Sequence, residues 1–150
     1  MKLTLTQLSI FVENRPGRLF SICSLLGDGG INIRAITIAE SEGFGILRII
    51  VDRPDDALDI LKMAGYTANV ADIVAVDIVD RPGGLAEVLR VLNDAGINVE
   101  YMYGFVDRSS DNALVAFRFE NPDDAVRILK SNDIRVVGNK SAKNTRGGAK

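Results

Sequence analysis

Residues 15–33 read RPGRLFSICSLLGDGGINI, and residues 81–99 read RPGGLAEVLRVLNDAGINV. Pro16 pairs with Pro82 and Gly30 with Gly96, both at an offset of 66. Pro54-Asp55-Asp56-Ala57 then returns as Pro122-Asp123-Asp124-Ala125 at an offset of 68, so the second copy carries two extra residues in between. A repeat this long is a whole folding unit rather than a short motif. It also writes one loop-to-helix junction twice.

Each copy opens with helical spacing. Leu19, Ile22, Cys23 and Leu26 follow i, i+3, i+4, i+7, and Leu85, Val88, Leu89 and Leu92 repeat it. Pro16, Pro54, Pro82 and Pro122 each stand where a helix is predicted to begin, a position that suits a residue without an N–H. Gly30 and Gly96 fall where a left-handed C-cap would end the first helix of each copy. The second helices begin Pro-Asp-Asp, with carboxylates at the positive end of the dipole, and Asn121 is a good N-cap.

Strand-like stretches separate the helices: 3–12, 31–39 and 45–51 in copy one, with a hairpin turn at 41–43. Copy two offers 73–79, 97–106 and 113–119, with 108–112 as the longer hairpin loop. Short last strands are predicted at 67–70 and 135–137. Each copy reads β-α-β-β-α-β, which right-handed crossovers turn into an antiparallel sheet with both helices on one face. The expected fold is therefore α+β, with two ferredoxin-like units. The expected domains are 1–70 and 71–137, followed by a disordered basic tail at 138–150. No turn signal separates the copies, so the last strand of one is expected to run almost directly into the first strand of the next.

Charge narrows the partners. The tail takes four of the 18 basic residues, so the body carries 14 against 20 acidic ones, a balance of −6. An acidic body disfavours nucleic acid and anionic membrane. The single cysteine, Cys23, points to a reducing cytoplasm. No leader-like segment and no long apolar run is present. With no histidine in the chain and no metal-ligand spacing, no catalytic residue, metal or cofactor is expected. Cys23 sits on a helix stripe where copy two has Leu89, so it reads as packing rather than as a nucleophile.

What remains is the strand-to-helix junction Glu13-Asn14-Arg15-Pro16-Gly17-Arg18. A helix N-terminus presents unpaired N–H groups and partial positive charge to a carboxylate. Asn14 offers a donor and an acceptor, matching the two ends of an α-amino acid. Asn32 follows the helix stop. The same residues also make an ordinary turn and an ordinary helix stop.

The order strand, Glu-Asn-Arg-Pro-Gly, helix, Gly-Ile-Asn-Ile, strand resembles the ACT domain, a ligand-sensing module of amino-acid metabolism. It is similar to the version found in phosphoglycerate dehydrogenases. Asp80-Arg81-Pro82-Gly83-Gly84-Leu85 with Gly96-Ile97-Asn98-Val99 resembles a second one. The resemblance implies regulatory binding of an amino acid at interfaces between paired units, in a homodimer or on a separate metabolic enzyme. The implied ligand-binding residues are Asn14, Arg15, Pro16, Gly17 and Asn32, the last from its own or the facing unit, with Asp80, Gly83 and Asn98 in copy two. Asp80 replaces Asn14 there, and an aspartate repels a carboxylate. Val12 stands where the dehydrogenase version has histidine, so serine specificity is not implied. Ile33, Arg34, Glu100, Tyr101 and Met102 are candidates to read the ligand's side chain.

Two other readings compete. Ile10-Phe11-Val12-Glu13-Asn14 and Gly43-Phe44-Gly45-Ile46 loosely resemble the signature strands of an RNA-recognition motif. Glu42 and the acidic body oppose that reading, and copy two has no such match. The other is a module that has lost its ligand and serves only in assembly.

Overall fold

The computed structural model describes residues 3–106 and 112–138. The predicted tail beyond Gly138 and most of the predicted 108–112 loop lie outside those residues. Contacts divide the chain into two compact units: Thr6–Ala71, and Asp72 onward together with the residues up to Leu5.

The first unit contains β1 (Leu5–Glu13), α1 (Arg18–Asp28), β2 (Ile33–Ser41), β3 (Phe44–Val51), α2 (Pro54–Met63) and the start of β4 (Ala68–Ile78). β3 lies between β1 and β2 and is antiparallel to both. Phe11 N–H donates to the Thr67 carbonyl at 3.0 Å, at the approach to β4. Leu8, Ile10 and Val12 alternate inward with Leu47, Ile49 and Val51, and meet Ile22, Leu26, Ala57 and Leu61 from the helices. The Glu42-Gly43 hairpin joins Ser41 to Phe44.

The second unit takes β4 as its first strand. α3 (Gly84–Asp94), β5 (Tyr101–Gly104), β6 (Ala113–Arg118), α4 (Pro122–Ser131) and β7 (Val136–Val137) follow. β6 pairs antiparallel with β4 and β5, and β7 with β4. Val74, Val76, Ile78, Phe117 and Phe119 form its core with Val88, Leu92, Ala125 and Leu129. Both units have the ferredoxin-like order. The last strand of one copy and the first of the next form the single strand β4, as the missing turn signal led us to expect.

The helix stops follow the sequence reading. Ile31 N–H donates to the Leu26 carbonyl and Gly30 N–H to that of Gly27, with Gly30 at φ 74°. Ile97, Leu92, Gly96 and Asn93 repeat this Schellman arrangement. Pro54 and Pro122 open α2 and α4, and Asn121 Oδ1 accepts from Asp124 N–H at 3.3 Å.

Pro16 and Pro82 do not open helices. Arg18 N–H donates to the Arg15 carbonyl at 3.3 Å, and Gly17 has φ 88°. Gly84 N–H donates to Arg81 at 3.0 Å, and Gly83 has φ 85°. Proline then glycine at positive φ makes a type II turn, and each helix starts after it. The predicted strand 97–106 is shorter than expected, with β5 at Tyr101–Gly104. Two stripe residues also differ from expectation: Leu19 is 43% exposed and Leu85 37%, because both lie in the first turn of their helices. Cys23 is half-buried rather than buried.

Candidate functional site

β1 ends at Glu13 and hands the chain to the turn that starts α1. Asn14 N–H donates to the Gly43 carbonyl at 3.2 Å, which ties the junction to the β2–β3 hairpin. Arg15 N–H bonds back to Glu13 O at 2.9 Å. The Glu13 carboxylate lies 3.2 Å from Arg15 Nε and 3.8 Å from Arg18 Nη2. Ser21 N–H and Ser21 Oγ both donate to the Gly17 carbonyl, at 3.0 and 2.9 Å. The N–H groups of Leu19 and Phe20 have no backbone acceptor among the described residues. The result is an open hollow of about 350 Å³, lined by Arg15, Pro16, Gly17, Arg18 and Ser21. Two guanidinium groups and a helix N-terminus give it a positive character suited to a carboxylate. Asn14 is exposed beside it.

Asn32 lies at the other end. Its N–H donates to Asp52 Oδ1 at 2.9 Å, and its carbonyl accepts from Asp52 N–H at 3.1 Å. α1 has 11 residues, which at 1.5 Å per residue separates its two ends by about 16 Å. One unit therefore does not bring Asn14 and Asn32 to the same small molecule. Of the residues suggested as readers of a ligand side chain, Arg34 is buried, and Tyr101 stacks on Tyr103 with ring centroids 6.5 Å apart.

The second junction is built differently. Asp80 and Asn98 are exposed. Arg81 reaches toward Glu87 at 3.5 Å instead of toward the residue before the junction. Gly84, which stands where copy one has Arg18, is buried, and a Cβ there would strike the Val79 carbonyl oxygen. Copy two thus has neither an Asn14 nor an Arg18 at the corresponding positions.

Exposed apolar residues gather in the first unit in a way the sequence reading missed. Phe20 is 76% exposed on α1. Ile36 and Ile38 pair with Ile49 and Leu47, so they share the helix-bearing face, yet Ile38 is 47% exposed. The signal available in the sequence was Phe20 itself, an aromatic residue off the predicted stripe. On the opposite face Phe11 and Phe44 lie side by side, ring centroids 6.0 Å apart, with Glu13 across from Phe44. Among the described residues no group of three or more His, Cys, Asp or Glu is placed to hold a metal. None of their helices is long and apolar enough to cross a membrane.

A family model described as an ACT domain pair matches residues 3–145. No curated protein matches the chain. Protein BT0572 from Bacteroides thetaiotaomicron, a solved structure, is 37% identical with a TM-score of 0.86, over 94% of this chain and 96% of that one. The ligand-free regulatory subunit of aspartate kinase from Thermus thermophilus is 18% identical with a TM-score of 0.61, over 84% of this chain and 91% of that one. The corresponding subunit from Thermus flavus is 18% identical with a TM-score of 0.60, over 87% and 93%. At that identity the two kinase subunits share the fold with this chain.

Proposed function

Because this chain belongs to the ACT domain pair family, we propose that it is a regulatory protein that binds a free amino acid between units and catalyses nothing itself. The observation that carries this reading is the division of the expected ligand set between the two ends of α1. The ligand's carboxylate is assigned to the hollow at Arg15–Arg18, beside the free N–H groups of Leu19 and Phe20. Its ammonium is assigned to the Asn14 carboxamide oxygen. Asn32 completes the site from a second unit.

A homodimer about a two-fold axis supplies that second unit. Two copies of β2 pairing edge to edge run antiparallel, so each copy's Asn32 approaches the other's Asn14. Phe20, Ile36 and Ile38 flank this edge and give the contact an apolar body. A ligand held there favours the interface geometry that it contacts best, and that bias is the regulatory output. The homodimer is assigned to the cytoplasm. The Asp80 junction is the weaker site, since an aspartate repels a carboxylate.

A second reading has the output passed to a separate amino-acid-metabolism enzyme on which this chain docks. The fold it shares with chains named as regulatory subunits of aspartate kinase favours that reading. Purification from the native host tests it through a stoichiometric enzyme partner.

The ligand reading is tested by thermal shift against the twenty amino acids and related 2-oxo acids. A ligand at 100 times its dissociation constant adds about 2.7 kcal/mol, enough to raise the Tm by several degrees. At least one hit is expected, weakened by Asn14→Ala more than by Asp80→Ala. A well-folded protein with no hit at millimolar concentration leaves the assembly-only role ahead.

A further inference from the structure

The second unit contains a cavity of about 550 Å³, within the range of small-molecule sites. Val88 and Val91 of α3 line it together with Ile78 at the end of β4 and Ile134 after α4. The repeat shows what occupies the matching place in the first unit. Gly65 follows α2 at φ 90° and Asp133 follows α4 at φ 61°. Tyr66 N–H donates to Leu61 as Ile134 N–H donates to Leu129. Tyr66 and Ile134 are therefore equivalent, and Tyr66 packs half-buried against the first unit's core.

Two further wall positions change in the same direction. Ile22 and Leu25 of the first unit become Val88 and Val91 in the second. Three apolar side chains shrink, from Tyr, Ile and Leu to Ile, Val and Val, while the fourth wall residue grows from Val12 to Ile78. The rim changes the other way: Ser21 becomes Glu87, Ser24 becomes Arg90, Ala64 becomes Asn132 and Gly65 becomes Asp133. The lining is mixed: Ile78, Val88, Val91 and Ile134 form a small apolar floor, and Asp77, Glu87, Arg90, Asp133 and Arg135 surround it with charges of both signs, a composition suited to a zwitterion.

We propose that this cavity is a second ligand site, separate from the junction, for a small aromatic zwitterion. Its ring takes the place that Tyr66 fills in the first unit. Its ammonium faces Glu87 and Asp133, and its carboxylate faces Arg90. The proposal does not depend on the junction reading.

The test is a titration of the 15N-labelled full chain with L-phenylalanine, and separately with 4-methylphenol, which is the tyrosine side chain alone. Saturable amide shifts are expected at Glu87–Val91 and Asn132–Ile134, with the zwitterion binding more tightly than the phenol. Ile134→Tyr returns the first unit's residue and is expected to weaken binding at least about tenfold, or 1.4 kcal/mol. The paired change Val88→Ile with Val91→Leu narrows the same walls and serves if Ile134→Tyr fails to fold. Asn14→Ala leaves these shifts in place, which separates this site from the junction. Absence of shifts there with both probes, or unchanged binding in the refilled variants, overturns the proposal.

Discussion

The Arg53 guanidinium donates to the Gly30 carbonyl at 2.8 Å, and to that of Gly29 at 3.0 Å. One side chain thus holds the two carbonyls just past the end of α1, whose last-turn carbonyls at Leu25, Leu26 and Gly27 are taken by backbone N–H groups. The preceding residue, Asp52, holds Asn32 by both main-chain groups. Together Asp52 and Arg53 fix the corner from which Asn32 leaves for β2. Copy two has Asn121 in place of Arg53, and that side chain caps its own helix instead.

Arg53→Ala is therefore expected to cost about 1–2 kcal/mol, the worth of charge-assisted hydrogen bonds at a half-exposed position. Its ion pair with Asp56 at the surface adds little. Asn121→Ala is expected to cost about 1 kcal/mol through the lost N-cap. Urea unfolding of both variants checks the ranking. Arg53→Ala alone is expected to reduce ligand stabilisation as well, because it loosens the Asn32 corner.

The two type II turns make a sharper claim. Gly17 and Gly83 have φ 88° and 85°, and a Cβ at either position meets nothing within 4 Å. Alanine at each therefore pays the left-handed backbone cost alone, about 1–2 kcal/mol. Gly84 is helical and carries no left-handed cost, but a Cβ there strikes the Val79 carbonyl, and Gly84→Ala is expected to cost more than either. Equal midpoints for Gly83→Ala and Gly84→Ala in denaturant titration would contradict the close approach described at residue 84.

Much of this was legible in the chain. Gly30 and Gly96 announced their helix stops because a left-handed residue after a periodic run has few other uses. The continuous strand β4 followed from the lack of any turn signal between 67 and 79. Pro16 and Pro82 carry an ambiguous signal, since a proline suits both a helix start and a turn. The glycine directly after each was the clue that decides for the turn. Eleven helical residues between them already imply the separation of Asn14 from Asn32. The cavity beside Ile134 was not legible, because it arises from small volume differences on α3 and after α4 that adjoin only in the folded unit.

A site that draws Asn14 from one chain and Asn32 from another has a distinctive stoichiometry. Asn14→Ala and Asn32→Ala are each expected to abolish binding at the junction while leaving stability within about 0.5 kcal/mol. A mixed dimer of the two variants contains one doubly altered site and one intact site. Calorimetry on co-expressed, differently tagged chains is expected to return half the wild-type stoichiometry at wild-type affinity. A site confined to one chain leaves the mixed dimer with no binding at all.

The exposed apolar group on the first unit sets the last expectation. Phe20 stands 76% exposed on α1, and Ile38 lies on the edge strand of the same face. Neither belongs to the core cluster of its unit, so Phe20→Glu and Ile38→Lys are expected to change stability by less than about 1 kcal/mol in the isolated chain. In a dimer closed along β2, each substitution places a charge in the apolar contact twice, where it is desolvated. Sedimentation velocity is expected to show dimer for the wild type and monomer for both variants, and the monomers are expected to lose ligand binding at the junction. Variants that stay dimeric place the contact elsewhere on the chain, and Asn32 then needs another route to its ligand.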